Sequence, residues 1–204
     1  SKNFADHLLI DENSSPLEWL KDLVVKNSEP TLSLKHYEKL SDEIEVMIEY
    51  LKESIRCQKK GINVLFWGSP GVGKSELARV IAKEVGSDLL EIVSHDSKQN
   101  SISGEKRLSA MRAAQAFFCH GSSLFLVEES SDIFSNGGYF GSSIADSRKS
   151  WVNNFLESNL PTIFTTNDLD IDQAFLRRFD FILNITQPDK ACPNFTRQFG
   201  QITR

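Results

Sequence analysis

Cysteine is scarce in this chain of 204 residues: Cys57, Cys119 and Cys192 lie far apart, with no C-x-x-C pair. That excludes a disulfide framework and offers no zinc-ligand spacing, so the three read as reduced packing thiols of a cytosolic protein. The four histidines, His7, His36, His95 and His120, also lack ligand-like spacing. There is no basic excess. Twenty-three Lys and Arg against 28 Asp and Glu give a formal charge of −5 and a pI near 5.4, which argues against a dedicated nucleic-acid binder. No apolar run approaches the ~20 residues needed to cross a bilayer. The opening SKNFADHLLIDENSS lacks the basic leader and apolar stretch of a secretory signal. The first residue is Ser1 rather than methionine, as expected of an excised or trimmed piece.

What is present is ordinary for a globular chain: 40% hydrophobic and 25% charged residues, enough for one substantial core. Residues 1–60 read as helical. In SPLEWLKDLVV, Ser15 is a candidate cap, Pro16 sits in the first turn, and Leu17, Leu20 and Val24 share one face. A longer helix is expected from Tyr37 to Lys59, where Leu40, Ile44, Ile48, Leu51 and Ile55 repeat at helical spacing, and that stripe reads as a packing face. After Gly61 the rhythm changes. Short apolar runs at 62–67, 89–93, 123–128, 162–166 and 179–185 alternate with helical stretches at 74–85, about 105–118, about 147–158 and 171–178. Continuous apolar strands with helical crossovers predict a parallel sheet covered on both faces, with ligands gathering at the carboxyl ends of the strands. SNGGYFGSSIADS at 135–147 reads as a loop, and the tail from Gln187 shows no period.

Within LFWGSPGVGKSELARV (65–80) stands Gly68-x-x-x-x-Gly73-Lys74-Ser75, following a strand and opening a helix. That context gives the pattern its weight. Glycines let successive main-chain N–H groups converge on an anion, and the helix directs its unpaired N–H groups and positive dipole end to the same spot. Lys74 supplies a point charge for β- and γ-phosphates, and the Ser75 hydroxyl can ligate Mg²⁺. A chance match in a glycine-rich turn is the alternative.

The third strand, LFLVEES, ends in Glu128 and Glu129, placing one carboxylate near a metal and the other near an attacking water. Two solvated acids at a strand end are the plainer reading. PTIFTTND ends in Thr165, Thr166 and Asn167, whose amide can orient water or touch a γ-phosphate. DIDQAFLRRFDF carries Arg177 and Arg178. Arginine suits transition-state charge stabilisation, although two arginines ending a short helix also compensate its dipole.

Taken in order, GSPGVGKS resembles Walker A, LFLVEE Walker B, TIFTTN sensor 1 and FLRRFD the arginine-finger element of the AAA+ ATPase family. The likeness is to its AAA-type central domain, bacterial in look, over residues 61–187. The resemblance implies an α/β fold: a P-loop NTPase three-layer sandwich around a five-stranded parallel sheet of order 5-1-4-3-2, preceded here by the N-terminal helical segment. It implies ATP and Mg²⁺ as cofactors. Gly68, Ser69, Pro70, Gly71, Val72, Gly73, Lys74, Ser75 and Glu76 would bind the nucleotide, with Ser75 and Glu128 on the metal. By the same resemblance Glu129 polarises the attacking water, Asn167 helps to place it, and Arg177 and Arg178 reach the γ-phosphate of a neighbouring subunit. The family assembles as rings, usually hexamers, and remodels proteins or nucleic acids. A cytoplasmic homo-oligomer with a protein substrate or adaptor is therefore expected, with nucleic acid disfavoured and no membrane.

Three departures shape that expectation. Glu128 stands where the family has Asp, moving the carboxylate by about a bond length against an Mg²⁺ shell of little tolerance. QNSISGEKRL has Ser101-Ile102 where threading members place an aromatic beside an aliphatic residue. The residues after the last strand are too few for the helical lid that carries sensor 2; whether the chain is a fragment or the lid is missing naturally, nucleotide binding weaker than in an intact member and negligible hydrolysis are expected. The expected division is 1–60 (helical segment), 61–187 (core) and 188–204 (tail). A nucleotide-gated switch or scaffold with little hydrolysis, or a helicase or loader motor, are the alternatives. A small-molecule P-loop kinase explains neither Asn167 nor the arginine pair.

Overall fold

The computed structural model describes residues 24–94, 102, 104–118, 123–134 and 150–186. The expected helix over 15–23, the loop at 135–147, Ser101 and the tail lie outside the described residues.

Six strands form one sheet: β1 (Val24–Lys26), β2 (Asn63–Trp67), β3 (Asp88–Ile92), β4 (Ser123–Val127), β5 (Thr162–Thr166) and β6 (Phe181–Asn184). Their order is β1-β3-β4-β5-β2-β6. Counted from β2, the five parallel strands follow the expected 5-1-4-3-2 order. The sixth strand departs from expectation. Helical spacing places Val24 and Val25 at the end of a helix, but they pair antiparallel with Ile92 and Glu91, and Asn27 N–H continues the ladder to Leu89 C=O at 2.8 Å. The reason is the edge of β3, whose unpaired main-chain groups take up a β-branched pair that helical spacing alone cannot distinguish.

Alternation along the strands sorts side chains between two cores. Val64, Phe66, Leu124, Leu126 and Ile163 face one side, where they meet Leu77 and Ile81 of α2 (Lys74–Val85) and Ile44, Met47 and Leu51 of α1 (Ser41–Arg56). Leu65, Phe125, Val127 and Phe164 face the other, against α3 (Gly104–Phe118), α4 (Ser131–Phe134), the helical residues 150–156 (α5) and α6 (Gln173–Leu176). The α1 stripe is thus a packing face of the first core. Its helix begins later than expected: Leu34–Leu40 is a 3-10 helix bent at Tyr37 (φ −123°, ψ 32°). α4 was not anticipated. Its Phe134 sits among Phe164, Phe175 and Phe179 at centroid distances of 5.1, 5.7 and 5.6 Å. No helix among the described residues is long and apolar enough to cross a membrane.

The parallel strands share a polarity that gives the sheet two unlike edges. Trp67, Val127 and Thr166 end β2, β4 and β5 at one, and Asn63 marks the other. Asn63 is 2% exposed, and its amide donates to the carbonyls of Leu156 (2.8 Å), Gly61 (3.2 Å) and Arg178 (3.3 Å). Its main chain is held on both sides by Asp180, through the carboxylate at 2.9 Å and the N–H at 2.8 Å. Asn63→Ala should destabilise the fold by about 1–3 kcal/mol, because buried carbonyls lose their donor. A urea midpoint equal to that of the unsubstituted chain would show that those carbonyls find other donors.

Candidate functional site

The site begins where β2 leaves the sheet. Between Trp67 and α2 the chain turns so tightly against β6 that Gly68, at φ 147°, has no room for a Cβ: one would run into the Ile185 carbonyl. Ile185 N–H in turn donates to Trp67 C=O at 2.8 Å, locking the loop base to the adjoining strand. Ser69, Pro70 and Gly71 are exposed, while Val72 is 2% exposed and anchors the crest of the loop in the first core. Gly73 takes φ 94° and ψ 22°, a left-handed turn open to glycine, and hands the chain to α2. The first rung of that helix is Leu77 N–H to Gly73 C=O at 2.9 Å. Helix geometry leaves the N–H groups of Lys74, Ser75 and Glu76 ahead of the ladder.

Lys74 is the most constrained side chain here. It is 9% exposed, and its Nζ donates to Gly68 C=O (2.7 Å), Ser69 C=O (2.9 Å) and Asn167 Oδ1 (3.0 Å). Burial pulls its pKa below the ordinary lysine value, and the charges of Glu128 and Glu129 oppose that pull. The period of two explains why these groups meet. Ile163 of β5 faces the α2 side, so Thr165 and Asn167 do too; Leu124 and Leu126 of β4 do likewise, so Glu128 follows. Glu129 lies one residue further on, exposed, at φ 48°. Its backbone is held in that left-handed conformation from two directions. Its N–H donates to Thr165 Oγ1 at 3.3 Å, and its carbonyl accepts from Arg107 Nη1 at 3.2 Å. Arg107 Nη2 donates to the Glu128 carbonyl as well.

The two ends of the expected site residues therefore separate cleanly. Lys74, Ser75, Glu128, Glu129 and Asn167 gather with the loop at the carboxyl edge. Arg177 and Arg178 do not: the Arg178 carbonyl is bonded to Asn63, at the amino edge, and a five-residue strand separates those edges by about 13 Å. Arg178 pairs with Glu157 at 2.6 Å, whereas Arg177 is exposed. Glu76 is brought near by its main chain only. Its buried carboxylate accepts from Thr31 N–H, the Thr31 hydroxyl (2.8 Å), Leu32 N–H (2.9 Å) and Arg79 Nη1 (3.0 Å). Ile102, at the loop position where threading members present side chains, is 9% exposed, its N–H on Ser94 C=O at 2.8 Å.

Four residues escaped the sequence reading: Tyr37, Arg79, Glu91 and Arg107. Tyr37 donates its hydroxyl to Gly73 C=O at 3.0 Å, and burial together with the Glu76 charge raises its pKa, which keeps it a donor. Glu91 is pushed up by burial and by Glu128, against the opposing Arg79 charge and a bond from Asn27. The Glu76–Arg79 pair has i, i+3 spacing, but the bonds of these four to Gly73, Asn27, Glu128 and Glu129 join residues 21 or more apart, and no local pattern marks them.

Comparison with known proteins agrees with the fold. The family model "ATPase family associated with various cellular activities (AAA)" matches residues 64–187. Uncharacterized protein ORF529 of Acidianus two-tailed virus is 29% identical over 143 residues, covering 62% of this chain and 27% of that protein. The Holliday junction branch migration complex subunit RuvB of Acholeplasma laidlawii is 32% identical over 74 residues, covering 34% of this chain and 22% of the relative. The matches thus span roughly a quarter of each curated relative. Among solved structures, the FIGL-1 AAA domain in complex with ADP superposes with a TM-score of 0.58 at 16% identity, covering 87% of this chain and 63% of that one. A chain of the E. coli HORMA:CdnC:Trip13 complex gives 0.56 at 17%, covering 83% and 72%. C. elegans PCH-2 gives 0.51 at 16%, covering 72% and 44%. At these identities the structural likeness is one of fold.

The Glu76 carboxylate makes a pH prediction. Burial raises its pKa, but the bonds from Leu32, Thr31 and Arg79 outweigh that and hold it below the ordinary 4.5. The unfolded chain therefore takes up the proton first. The stabilisation is complete above the unfolded-state value and is lost as pH falls through the folded-state value. Urea midpoints measured from pH 6 to pH 3 should fall more steeply for the unsubstituted chain than for Glu76→Gln; parallel slopes would contradict it.

Proposed function

The chain belongs to the AAA family of ATPases, and on that premise we propose that it binds ATP with Mg²⁺ at the carboxyl edge of its sheet and hydrolyses it as one subunit of a ring. The observation carrying this reading is the buried Lys74 ammonium, which joins the Gly68–Gly73 loop to Asn167 in the field of Glu128 and Glu129. A buried cation beside unpaired helix N–H groups is a receptor for polyphosphate.

The residues present suit the cofactors. Main-chain N–H groups from Gly68 to Glu76, with Ser69, Pro70, Gly71 and Val72 shaping the turn, would surround the phosphates, and the loop's close approach to β6 excludes larger side chains at Gly68. Ser75 and Glu128 offer the hard oxygen donors that Mg²⁺ prefers, with phosphate and water completing its shell. Bound there, Mg²⁺ would offset the negative charge of the phosphates. Lys74 would exchange its carbonyl partners for phosphate oxygens. Glu129, held at φ 48° by Thr165 and Arg107, would accept the proton of the attacking water, and Asn167 would help to place that water.

The arginines support a shared site. Lying across the sheet from their own loop, they suit the γ-phosphate of a neighbouring copy, and exposed Arg177 is the better placed because Arg178 is paired with Glu157. We assign residues 61–187 to the ATPase core, 1–60 to an N-terminal segment and 188–204 to a tail. A protein substrate or adaptor fits better than nucleic acid, given the charge of −5; the structural neighbour solved with a HORMA protein points the same way. The exposed free thiol of Cys57 suits the cytoplasm. Glu128 in place of Asp favours a second reading, a nucleotide-gated switch with little turnover.

Calorimetry and phosphate release separate these readings. Lys74→Ala should abolish ATP binding while preserving the fold; undiminished binding would remove the site. In the motor, Glu129→Gln should lower turnover about 10²–10⁴-fold with ATP still bound. Arg177→Ala should lower it about 10³-fold, and more than Arg178→Ala does. Turnover per subunit should rise with protein concentration, and a flat profile across the range of association would refute the shared site. ATP binding with no turnover in any form supports the switch.

A further inference from the structure

Glu76 stands two residues beyond Lys74, in the first turn of α2, yet its carboxylate grips another part of the chain. It collects Thr31 N–H, the Thr31 hydroxyl and Leu32 N–H on one oxygen and Arg79 on the other. Arg79 extends the grip: its Nε donates to Asn27 Oδ1 at 2.7 Å, and the Asn27 amide donates to Glu91 Oε2 at 2.7 Å. Further along, Tyr37 donates to Gly73 C=O. The stretch from Asn27 to Tyr37 is therefore fastened to α2 and its leading loop at several points.

We propose that residues 27–37 form a brace that sets the geometry of the phosphate cradle, with Tyr37 and Glu76 as positioning residues; this rests on the reading of the cradle given above. The coupling runs through one peptide plane. Gly73 C=O and Lys74 N–H belong to the same rigid amide and point in opposite directions. Leu77 N–H (2.9 Å) and the Tyr37 hydroxyl (3.0 Å) both engage that carbonyl. Together they fix the plane and with it the heading of Lys74 N–H. Gly73 cannot fix it alone, because glycine has the widest backbone freedom of any residue. A carbonyl that accepts hydrogen bonds also makes its own N–H a stronger donor. The bend at Tyr37 inside a 3-10 helix is what brings the ring, 7% exposed, to this point. Glu76 holds the preceding residues so that the ring cannot swing away.

Glu76 also separates positioning from charge. A carboxylate near a polyphosphate repels it, so Coulomb's law alone makes neutralisation tighten binding. An anchor removed from a brace weakens it.

The test is calorimetry of the full chain with ATP and with inorganic tripolyphosphate, which has no base. Tyr37→Phe, which keeps the ring, and Glu76→Gln, which keeps the shape, should each bind both ligands about 3- to 10-fold more weakly while remaining folded. A folded variant that binds both as tightly as the unsubstituted chain, or Glu76→Gln binding more tightly, overturns the brace. So does a loss confined to ATP, which assigns the effect to the base. Unsubstituted chain that binds neither ligand removes the cradle itself, and the brace with it. Should the variants fail to fold, hydrogen exchange on the unsubstituted chain decides. Protection over 27–37 and 71–77 should rise together on adding tripolyphosphate; a rise confined to 71–77 overturns the proposal.

Discussion

A buried ammonium group organises the carboxyl edge of this sheet. Removing a lysine charge from water is costly unless acceptors replace the lost hydration, and Lys74 finds them on separate stretches of chain: two carbonyls of the loop that follows β2 and the amide that follows β5. Those acceptors exist in the right place only because β2 and β5 are neighbours in the sheet, in register from Asn63–Thr162 to Trp67–Thr166. Strand order, loop path and helix start are thus mutually dependent. The acids of β4 complete the balance, one strand further out.

Much of this was legible in the residues because it is local. The five parallel strands are short apolar runs, and α2 begins and ends within a residue of its flanking Gly73 and Gly86, so pattern and punctuation agree. The positions of the Gly68–Gly73 loop and of Glu128 and Glu129 follow from their places after strand ends. What was not legible depends on partners far away in sequence. Val24 and Val25 become a strand only because β3 offers an edge 64 or more residues later. Tyr37 and Glu76 meet partners 36 and 45 residues distant, and such pairs leave no periodic trace. Arg107 looks like any helical arginine until the fold places it, 2% exposed, beneath the carbonyls of Glu128 and Glu129. One helix read from Tyr37 to Lys59 resolves into a bent 3-10 turn and α1 for the same reason.

The amino edge has its own organisation. Asn63 and Asp180 tie the start of β2 to the turn carrying Arg177 and Arg178, and Tyr50 adds a bond to Asp180 at 2.6 Å while Lys59 donates to Tyr50 at 2.7 Å. Arg177 therefore projects from a turn pinned by several independent contacts rather than from a free loop. The same sheet that gathers Lys74 and Asn167 at one edge holds the Arg177–Arg178 turn at the other. Rigidity between the two is a property of the strands themselves.

The brace between Asn27 and Tyr37 gives the chain a mechanical character. Tension applied ahead of Val24 would load, in series, the three-residue β1–β3 ladder, the Glu76 grip and finally the tyrosine bond to the loop. The ladder is short and lies at an edge, so it would yield first and act as a fuse. Beyond that point, force would pass directly into the Gly73–Lys74 peptide plane at the start of α2. On the reading proposed for the loop, whatever pulls on the chain ahead of Val24 would have a lever on nucleotide release.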